Sequence, residues 1–174
     1  MFNVKKLAFG AALLAASAVC FAAPKVEIVT SEGNIVVNLN EKAAPTTVAN
    51  FVKYANEGFY NGTIFHRVIN NFMIQGGGFD RNLHQKSTHA PIKLEDKNGL
   101  KNIVGTIAMA RTNNPDSATS QFFINLKDND FLNGTSTKDG YAVFGEVVSG
   151  MDVVRKIGRA PTGSKGFMDD VPVR

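Results

Sequence analysis

Residues 65–77 read FHRVINNFMIQGG, the stretch of this 174-residue sequence that carries most information about its fold. Two strand-like runs, Thr63–Ile69 and Phe72–Gln75, cover it, and Asn70 and Asn71 separate them. Arg67 and Gln75 stand in these runs among several large apolar residues. The glycines 76–78 follow without a helical pattern, so they predict a turn with close backbone approach rather than a phosphate-binding loop.

On either side of this stretch the pattern predicts more short strands. The segments 25–30 and 35–37 flank Ser31-Glu32-Gly33-Asn34 and indicate a β-hairpin. Further strand-like runs occur at Gly105–Ala110, Gln121–Leu126 and Tyr141–Val147. Gly, Asn and Asp are frequent between the runs, as is typical of turns.

Two helices interrupt the strands. After Pro45, apolar residues recur at helical spacing until Gly58, namely Val48, Phe51, Val52 and Ala55. A second helix is predicted at Met151–Ile157, ending at Gly158. Many short strands with two helices favour a closed or nearly closed antiparallel barrel, in a single domain of the mainly β class.

The first 22 residues have the three parts of a secretory signal. Met1–Lys6 is short and basic, Leu7–Val19 is uncharged and apolar, and small residues surround Ala22, after which cleavage is predicted. An uncleaved anchor is the alternative, but the apolar run is shorter than the roughly 20 residues of a membrane span. The sequence therefore predicts a signal peptide at 1–22 and a folded domain at 23–174.

Cys20 is the only cysteine in the sequence. The residues before it fit poorly the pattern that precedes a lipid-modified cysteine, so we do not expect a lipoprotein. Cleavage after Ala22 leaves a mature chain without cysteine, and its stability must then come from its core rather than from disulfides.

Composition and charge exclude several classes of function. Hydrophobic residues make up 44% and charged residues 20% of the chain, which is ordinary for a globular protein. Lys5 and Lys6 account for two of the 19 basic residues, so 17 basic and 15 acidic residues remain after residue 22. This balance shows no basic cluster of the kind that binds nucleic acid.

Familiar catalytic motifs are absent from the sequence. It contains no Gly-x-Ser-x-Gly elbow, no phosphate loop ending in Lys-Ser/Thr and no His-Glu-x-x-His pair. His66, His84 and His89 lie in separate segments without metal-ligand spacing, and the mature chain offers no thiol nucleophile. We expect neither a metal nor a cofactor.

Each of the remaining motifs, taken alone, has an ordinary structural explanation. Arg67 could form a surface salt bridge, Gln75 could cap a loop, and the nearby Phe and Met residues could be simple core. Their order along the chain is distinctive: residues 65–77 precede Ala108-Met109-Ala110-Arg111, then Ser120-Gln121-Phe122-Phe123-Ile124, then Tyr141-Ala142-Val143-Phe144-Gly145.

In this order the motifs resemble the cyclophilins, with a likeness that extends from about Val26 to Val173. The signal segment and the short loop after Phe79 are similar to the bacterial periplasmic members in particular. The resemblance implies an eight-stranded antiparallel barrel capped by two helices, and X-Pro cis/trans isomerisation of exported polypeptides in the periplasm. It implies no nucleic-acid partner, no membrane attachment after signal cleavage and a monomer.

The resemblance also implies roles for particular residues. Arg67 matches the catalytic arginine, and Gln75 and Gln121 match the groups that position the substrate backbone. Substrate contacts are implied for the residues that match the proline pocket and its neighbouring strand, namely Phe72, Met73, Ala110, Arg111, Phe123, Phe131, Leu132 and Tyr141. Two of these depart from many eukaryotic members, which have Trp at the position of Phe131 and His at that of Tyr141.

Alternatives of other classes remain open at this point. A non-catalytic, proline-directed peptide-binding chaperone would use the same pocket but would not need the charge of Arg67. A purely structural envelope protein would need neither that arginine nor Gln75 beside an aromatic cluster. Relatives continue past the equivalent of residues 170–173 with a final apolar strand. We therefore expect either a fragment of a longer chain or a weakly stable, aggregation-prone barrel that lacks its last strand.

Overall fold

The computed structural model describes residues 22–173, so the predicted signal segment lies outside the described residues except for Ala22. The α-helices are α1 (Pro45–Asn56) and α2 (Met151–Gly158), and a short 3-10 helix spans Asp130–Leu132. The strands of the described range are β1 (Lys25–Thr30), β2 (Gly33–Leu39), β3 (Arg67–Ile69), β4 (Met73–Gly76), β5 (Thr106–Met109), β6 (Phe122–Asn125), β7 (Val143–Ser149), β8 (Thr162–Lys165) and β9 (Met168–Pro172).

Seven strands form one curled antiparallel sheet, a half-barrel, in the order β1-β2-β7-β5-β6-β4-β3. The strands β8 and β9 form a separate hairpin, and β9 packs against β3. The predicted mainly β architecture with two helices is confirmed. Within residues 22–173 the main sheet has seven strands, with β1 and β3 at its edges.

Two details of the strands differ from the sequence-based prediction. The strand predicted from Thr63 begins only at Arg67, because Thr63 forms an isolated bridge with Asp80 instead of joining the β3–β4 pair. The β8–β9 hairpin was not predicted, since Thr162–Lys165 and Met168–Pro172 contain few β-branched or aromatic residues. A two-residue turn with Gly166 in the left-handed region closes this hairpin.

Helix α1 forms where the apolar spacing predicts it and covers one face of the sheet. Pro45 occupies its first turn, where the missing N–H costs nothing. Glu95, far along the chain, accepts hydrogen bonds from the backbone N–H and the hydroxyl of Thr47, both at 2.6 Å. This carboxylate satisfies a free donor at the positive end of the helix, so it ties α1 to the segment that precedes β5.

Alternation along the strands produces two apolar layers on opposite faces of the sheet. On the helix side, Ile74, Ile107 and Ile124 are fully buried in the main core together with Phe51 of α1. Residues one step along each strand point to the other face, where Met73, Ala108 and Phe123 belong to a second, smaller cluster. The sheet therefore carries a partly open apolar surface away from the main core. Among the described residues, no helix is long and apolar enough to cross a membrane.

Candidate active site

A single row of residues crosses five neighbouring strands on the face away from the main core. Arg67 of β3 pairs with Gln75 of β4, which pairs with Phe123 of β6. Phe123 pairs in turn with Ala108 of β5, and Ala108 with Val143 of β7. Directly paired residues share a face of the sheet, so the register places a cation and an amide beside an apolar surface.

The apolar part of this face is a shallow hollow, which we call the proline hollow. Its buried members are Met73, Ala108, Phe123, Leu132 and Val143, and its partly buried members include Phe72, Ala110 and Tyr141. The hollow joins strands from the middle of the sheet to the 3-10 helix, which supplies Leu132. Most of the side chains predicted to hold a proline ring therefore meet in one place.

Aromatic contacts form the rim of the proline hollow. The rings of Phe72 and Phe131 are stacked, with centroids 5.6 Å apart and an interplanar angle of 22°. Tyr141 contacts Phe123 edge-on, with centroids 5.7 Å apart. Phe131 remains 59% exposed and so lies at the outer edge, where it can contact a bound ligand as well as Phe72.

Arg67 lies at the edge of the sheet with its side chain 44% exposed. Its Nε lies 4.0 Å from a carboxylate oxygen of Asp170, which belongs to β9. This is a loose and partly solvated ion pair, worth less than about 1 kcal/mol of stability. The contact leaves the rest of the guanidinium free to face a ligand.

Gln75 and Gln121 are linked through their side-chain amides, with Nε2 of Gln75 donating to Oε1 of Gln121 at 3.0 Å. Gly78 packs directly on Gln121, since a Cβ added to that glycine would lie 2.5 Å from Cγ of Gln121. The predicted close backbone approach in the glycine stretch 76–78 is therefore confirmed, and it limits where the side-chain amide of Gln121, the partner of Gln75, can lie.

Arg111 is held against the other side of the hollow. Its guanidinium lies 4.6 Å from the ring centroid of Tyr141, and its Nε donates to the carbonyl oxygen of Gly140 at 3.0 Å. Nη1 of Arg111 donates to the carbonyl oxygen of Thr112 at 2.9 Å. The neighbouring backbone N–H of Ala110 donates to Gln121 at 3.0 Å. Arg111 therefore supports the rim, whereas Arg67 makes no bond of this kind in the described structure.

His66, next to Arg67, is only 6% exposed and packs against the ring of Phe79 at 4.6 Å. Its Nδ1 has no hydrogen-bond partner among residues 22–173. Burial, reinforced by the positive charge of Arg67, lowers the pKa of His66 from 6.5 to about 4. The imidazole is therefore neutral near pH 7 and adds no charge beside Arg67.

Other groups near the site were not predicted from the sequence. Asp170 belongs to a terminal segment whose sequence predicts no contact with Arg67. Asn102, Asn125 and Asn129 are isolated asparagines, which are common in loops, so the sequence does not predict their role. Only for Asn125 does the sequence suggest burial, because Asn125 ends the apolar strand β6. Within the described residues, no group of three or more His, Cys, Asp or Glu side chains could hold a metal ion.

A cavity of about 650 Å³ lies next to the hollow and shares Val143 with it. Its lining includes Pro24, Asn40, Leu100, Ile103 and Glu146, and none of the predicted site residues. Lys42 and Lys101 line that cavity, but it does not set a guanidinium beside an aromatic, apolar surface. The proline hollow does, so its chemistry makes it the candidate active site. A fixed cation next to an apolar hollow can stabilise developing negative charge on a bound group without breaking a covalent bond.

Comparisons with known proteins agree with this assignment. The family profile described as "Cyclophilin type peptidyl-prolyl cis-trans isomerase/CLD" matches residues 25–174. A peptidyl-prolyl cis-trans isomerase of Acinetobacter baylyi is 56% identical over 169 residues, which cover 97% of this chain and 90% of that protein. Peptidyl-prolyl cis-trans isomerase B of Escherichia coli is 60% identical over 146 residues, covering 82% of this chain and 89% of the relative.

A solved structure shows a similar fold. The cyclophilin-type isomerase of Cryptosporidium parvum, crystallised in the presence of the dipeptide Ala-Pro, superposes with a TM-score of 0.71 at 26% identity. The match covers 86% of this chain and 92% of that one.

Proposed function

The chain belongs to the cyclophilin-type peptidyl-prolyl cis-trans isomerase family and is an enzyme of that activity, and we propose that Arg67 is its catalytic residue. The observation that carries this proposal is the row in which Arg67, Gln75 and Phe123 lie side by side across three strands. It places a cation and a hydrogen-bonding amide next to the hollow that would hold a proline ring.

The reaction requires rotation about a peptide bond and no bond cleavage. The partial double bond gives the X-Pro amide a high rotation barrier, and uncatalysed exchange takes tens to hundreds of seconds. At the twisted transition state the resonance is lost and a lone pair localises on the prolyl nitrogen. A donor that contacts this lone pair stabilises the transition state more than either planar ground state, which is the condition for catalysis.

Arg67 has the chemistry for this step. A guanidinium is charged at every physiological pH and presents several donors in a rigid plane. The loose contact of its Nε with Asp170 restricts the side chain without occupying every donor. The neutral state of His66 leaves Arg67 as the cation of this strand.

The proline hollow contributes binding and a low local dielectric. Phe72, Met73, Phe123 and Leu132 surround a space with no charged side chain among its members. Burial of the proline ring in the hollow would hold the ring in place while the part of the substrate on the other side of the X-Pro amide bond rotates. Exclusion of water from this surface strengthens the interaction of Arg67 with the prolyl nitrogen.

Gln75, Gln121 and the strand β5 would position the substrate backbone. Gln121 accepts a hydrogen bond from Gln75, so the remaining amide donors of both side chains can face a peptide carbonyl. The residues Ala110 and Arg111 follow β5 and border the hollow, where an extended peptide would lie along them. Proline-containing polypeptides are therefore the substrates we propose, with the enzyme acting as a monomer.

The decisive experiment is a protease-coupled isomerisation assay on a short Ala-Pro-Phe peptide. Arg67→Ala should lower kcat/KM by about 10²–10³, the usual loss for one preorganised donor. Arg67→Lys should recover little, because a point charge does not reproduce the planar donor array. Arg155→Ala, at an exposed position of α2, is the matched control and should keep full activity. Peptide binding with no rate enhancement by the wild type would instead favour a non-catalytic binding module.

We further propose that the enzyme is exported to the periplasm and acts there on exported proteins. The support is the basic, apolar and small-residue order of residues 1–22. Mass spectrometry of the exported protein should find Ala23 as its first residue, and deletion of residues 1–22 should retain the protein in the cytoplasm. A lipid group on Cys20 would overturn the assignment of the cleavage site.

A further inference from the structure

We infer that three buried asparagines, Asn102, Asn125 and Asn129, position the walls of the proline hollow, an inference that rests on the proposed function of that hollow. We call these residues the amide cluster. Each is at most 1% exposed. Such burial is uncommon for asparagine and is costly unless the amide atoms are hydrogen-bonded.

The cluster is internally bonded through Asn125. Nδ2 of Asn125 donates to Oδ1 of Asn102 and to Oγ1 of Thr106, both at 3.0 Å. Its Oδ1 accepts from Nδ2 of Asn129 at 2.8 Å. Asn125 therefore has both amide donors and its acceptor engaged and joins the other two residues.

The outward bonds of the cluster end on the walls of the proline hollow. Nδ2 of Asn129 donates to the carbonyl oxygen of Phe72 at 3.0 Å. Nδ2 of Asn102 lies 3.3 Å from the carbonyl oxygens of both Leu132 and Tyr141. These three wall residues come from three different segments: the β3–β4 turn, the 3-10 helix and the loop before β7. Three separate pieces of backbone are thus held by one set of side chains.

The position of Asn125 explains how it can act on the hollow without touching a substrate. It pairs with Met73 across the β4–β6 ladder, two residues along β6 from Phe123 and on the same face of the sheet. Apolar contacts are non-directional and would let the loop walls shift, whereas hydrogen bonds to their carbonyls fix distance and orientation. The amide cluster therefore preorganises the hollow, and its members are positioning residues.

The hollow binds the proline ring in the ground state and in the transition state alike, so a loosened hollow should weaken both. Loss of such uniform binding raises KM and leaves kcat unchanged. Asn125→Leu, which keeps the branched shape of the side chain but removes all three bonds, should raise KM about tenfold with kcat within twofold of the wild type. A change in kcat would instead require movement of Arg67, to which the cluster donates no hydrogen bond, or entry of water beside it.

The matched control is Thr47→Val, which removes a buried hydroxyl hydrogen bond at the start of α1, away from the hollow. Its thermal midpoint should fall without any rise in KM. Peptide turnover is measured in the cold, to keep the variants below their unfolding midpoints. Asn125→Ser is smaller and retains a hydroxyl; it should raise KM less than the leucine, and it decides the question if Asn125→Leu does not fold.

Two outcomes would overturn the inference alone: an active wild type with KM unchanged in both Asn125 variants, or an equal rise in KM in Thr47→Val. An inactive wild type would overturn the proposed function, and this inference with it.

Discussion

Gln75 donates a hydrogen bond from its side-chain amide to that of Gln121 at 3.0 Å, although the two residues lie 46 positions apart in the chain. Gln75 occupies the middle of the row between Arg67 and Phe123, whereas Gln121 precedes β6. The bond therefore ties β4, the strand that pairs with the one bearing Arg67, to the segment that precedes β6.

Gly78→Ala should disturb this bond from outside the hollow. The new Cβ would lie 2.5 Å from Cγ of Gln121, so the glutamine side chain must move away from Gln75. We expect kcat/KM to fall about tenfold, since small displacements of positioning groups are costly in catalysis. Gly163→Ala is the control, because its Cβ would meet only Val173 at 3.6 Å. Equal activity of the two variants would show that the position of Gln121 is unimportant.

Asp170→Asn should weaken catalysis only modestly. The variant keeps the shape of the side chain but removes the charge 4.0 Å from Nε of Arg67, so the guanidinium becomes less restricted. We expect a two- to fivefold loss of kcat/KM, in line with an exposed ion pair worth less than about 1 kcal/mol. Asp169→Asn is the control, because that carboxylate accepts a bond from Ser164 instead. A gain in activity would mean that Asp170 competes with the substrate for Arg67.

Acid should destabilise the fold through His66. The pKa of this buried imidazole is about 4 in the folded protein and near 6.5 when unfolded, so between these values the unfolded chain binds more protons. The free energy of unfolding should therefore decrease as the pH falls through this window, by about 3 kcal/mol at its lower end. Urea denaturation at several pH values measures the decrease.

His66→Phe is the corresponding variant, since phenylalanine can keep the contact with Phe79 and has no proton to bind. Its stability should be less sensitive to pH between 6.5 and 4 than that of the wild type. The backbone N–H of His84 donates to the carboxyl of Asp80 and lowers the pKa of that carboxyl. An identical pH dependence in the variant would rule out His66 as the cause.

Phe131→Trp should strengthen inhibition by cyclosporin-type macrocycles. The resemblance to eukaryotic members implies that an indole N–H at this position donates a hydrogen bond to such ligands, and phenylalanine has no donor. Phe131 lies exposed at the rim, so a larger ring fits there. The gain should be about 0.5–1.5 kcal/mol, with peptide turnover nearly unchanged. Phe167→Trp, at an 89% exposed position of the β8–β9 hairpin, is the control, and equal inhibition of both variants would refute the explanation.

Local patterns predicted most of the secondary structure, whereas the roles of the site residues were implied by the resemblance to a known family. Helix α1 follows from the spacing of Val48 and Phe51 after Pro45, because helical periodicity is a local property. Arg67 and Gln75 are conspicuous in the sequence because they are polar residues in otherwise apolar strand-like runs. The β8–β9 hairpin was missed because polar residues dominate its strands, and its pairing depends on the turn at Gly166 and on packing against β3.

The sequence by itself determined the elements, the apolar alternation of the strands and the presence of an arginine among them. Tertiary structure alone decided what lies near that arginine: Asp170 arrives from a later hairpin, and Gln121, bonded to Gln75, arrives from the segment that precedes β6. It also decided the burial of His66 and of the amide cluster. The physical reason is that these contacts depend on strand register and loop packing between distant segments, which no local periodicity encodes.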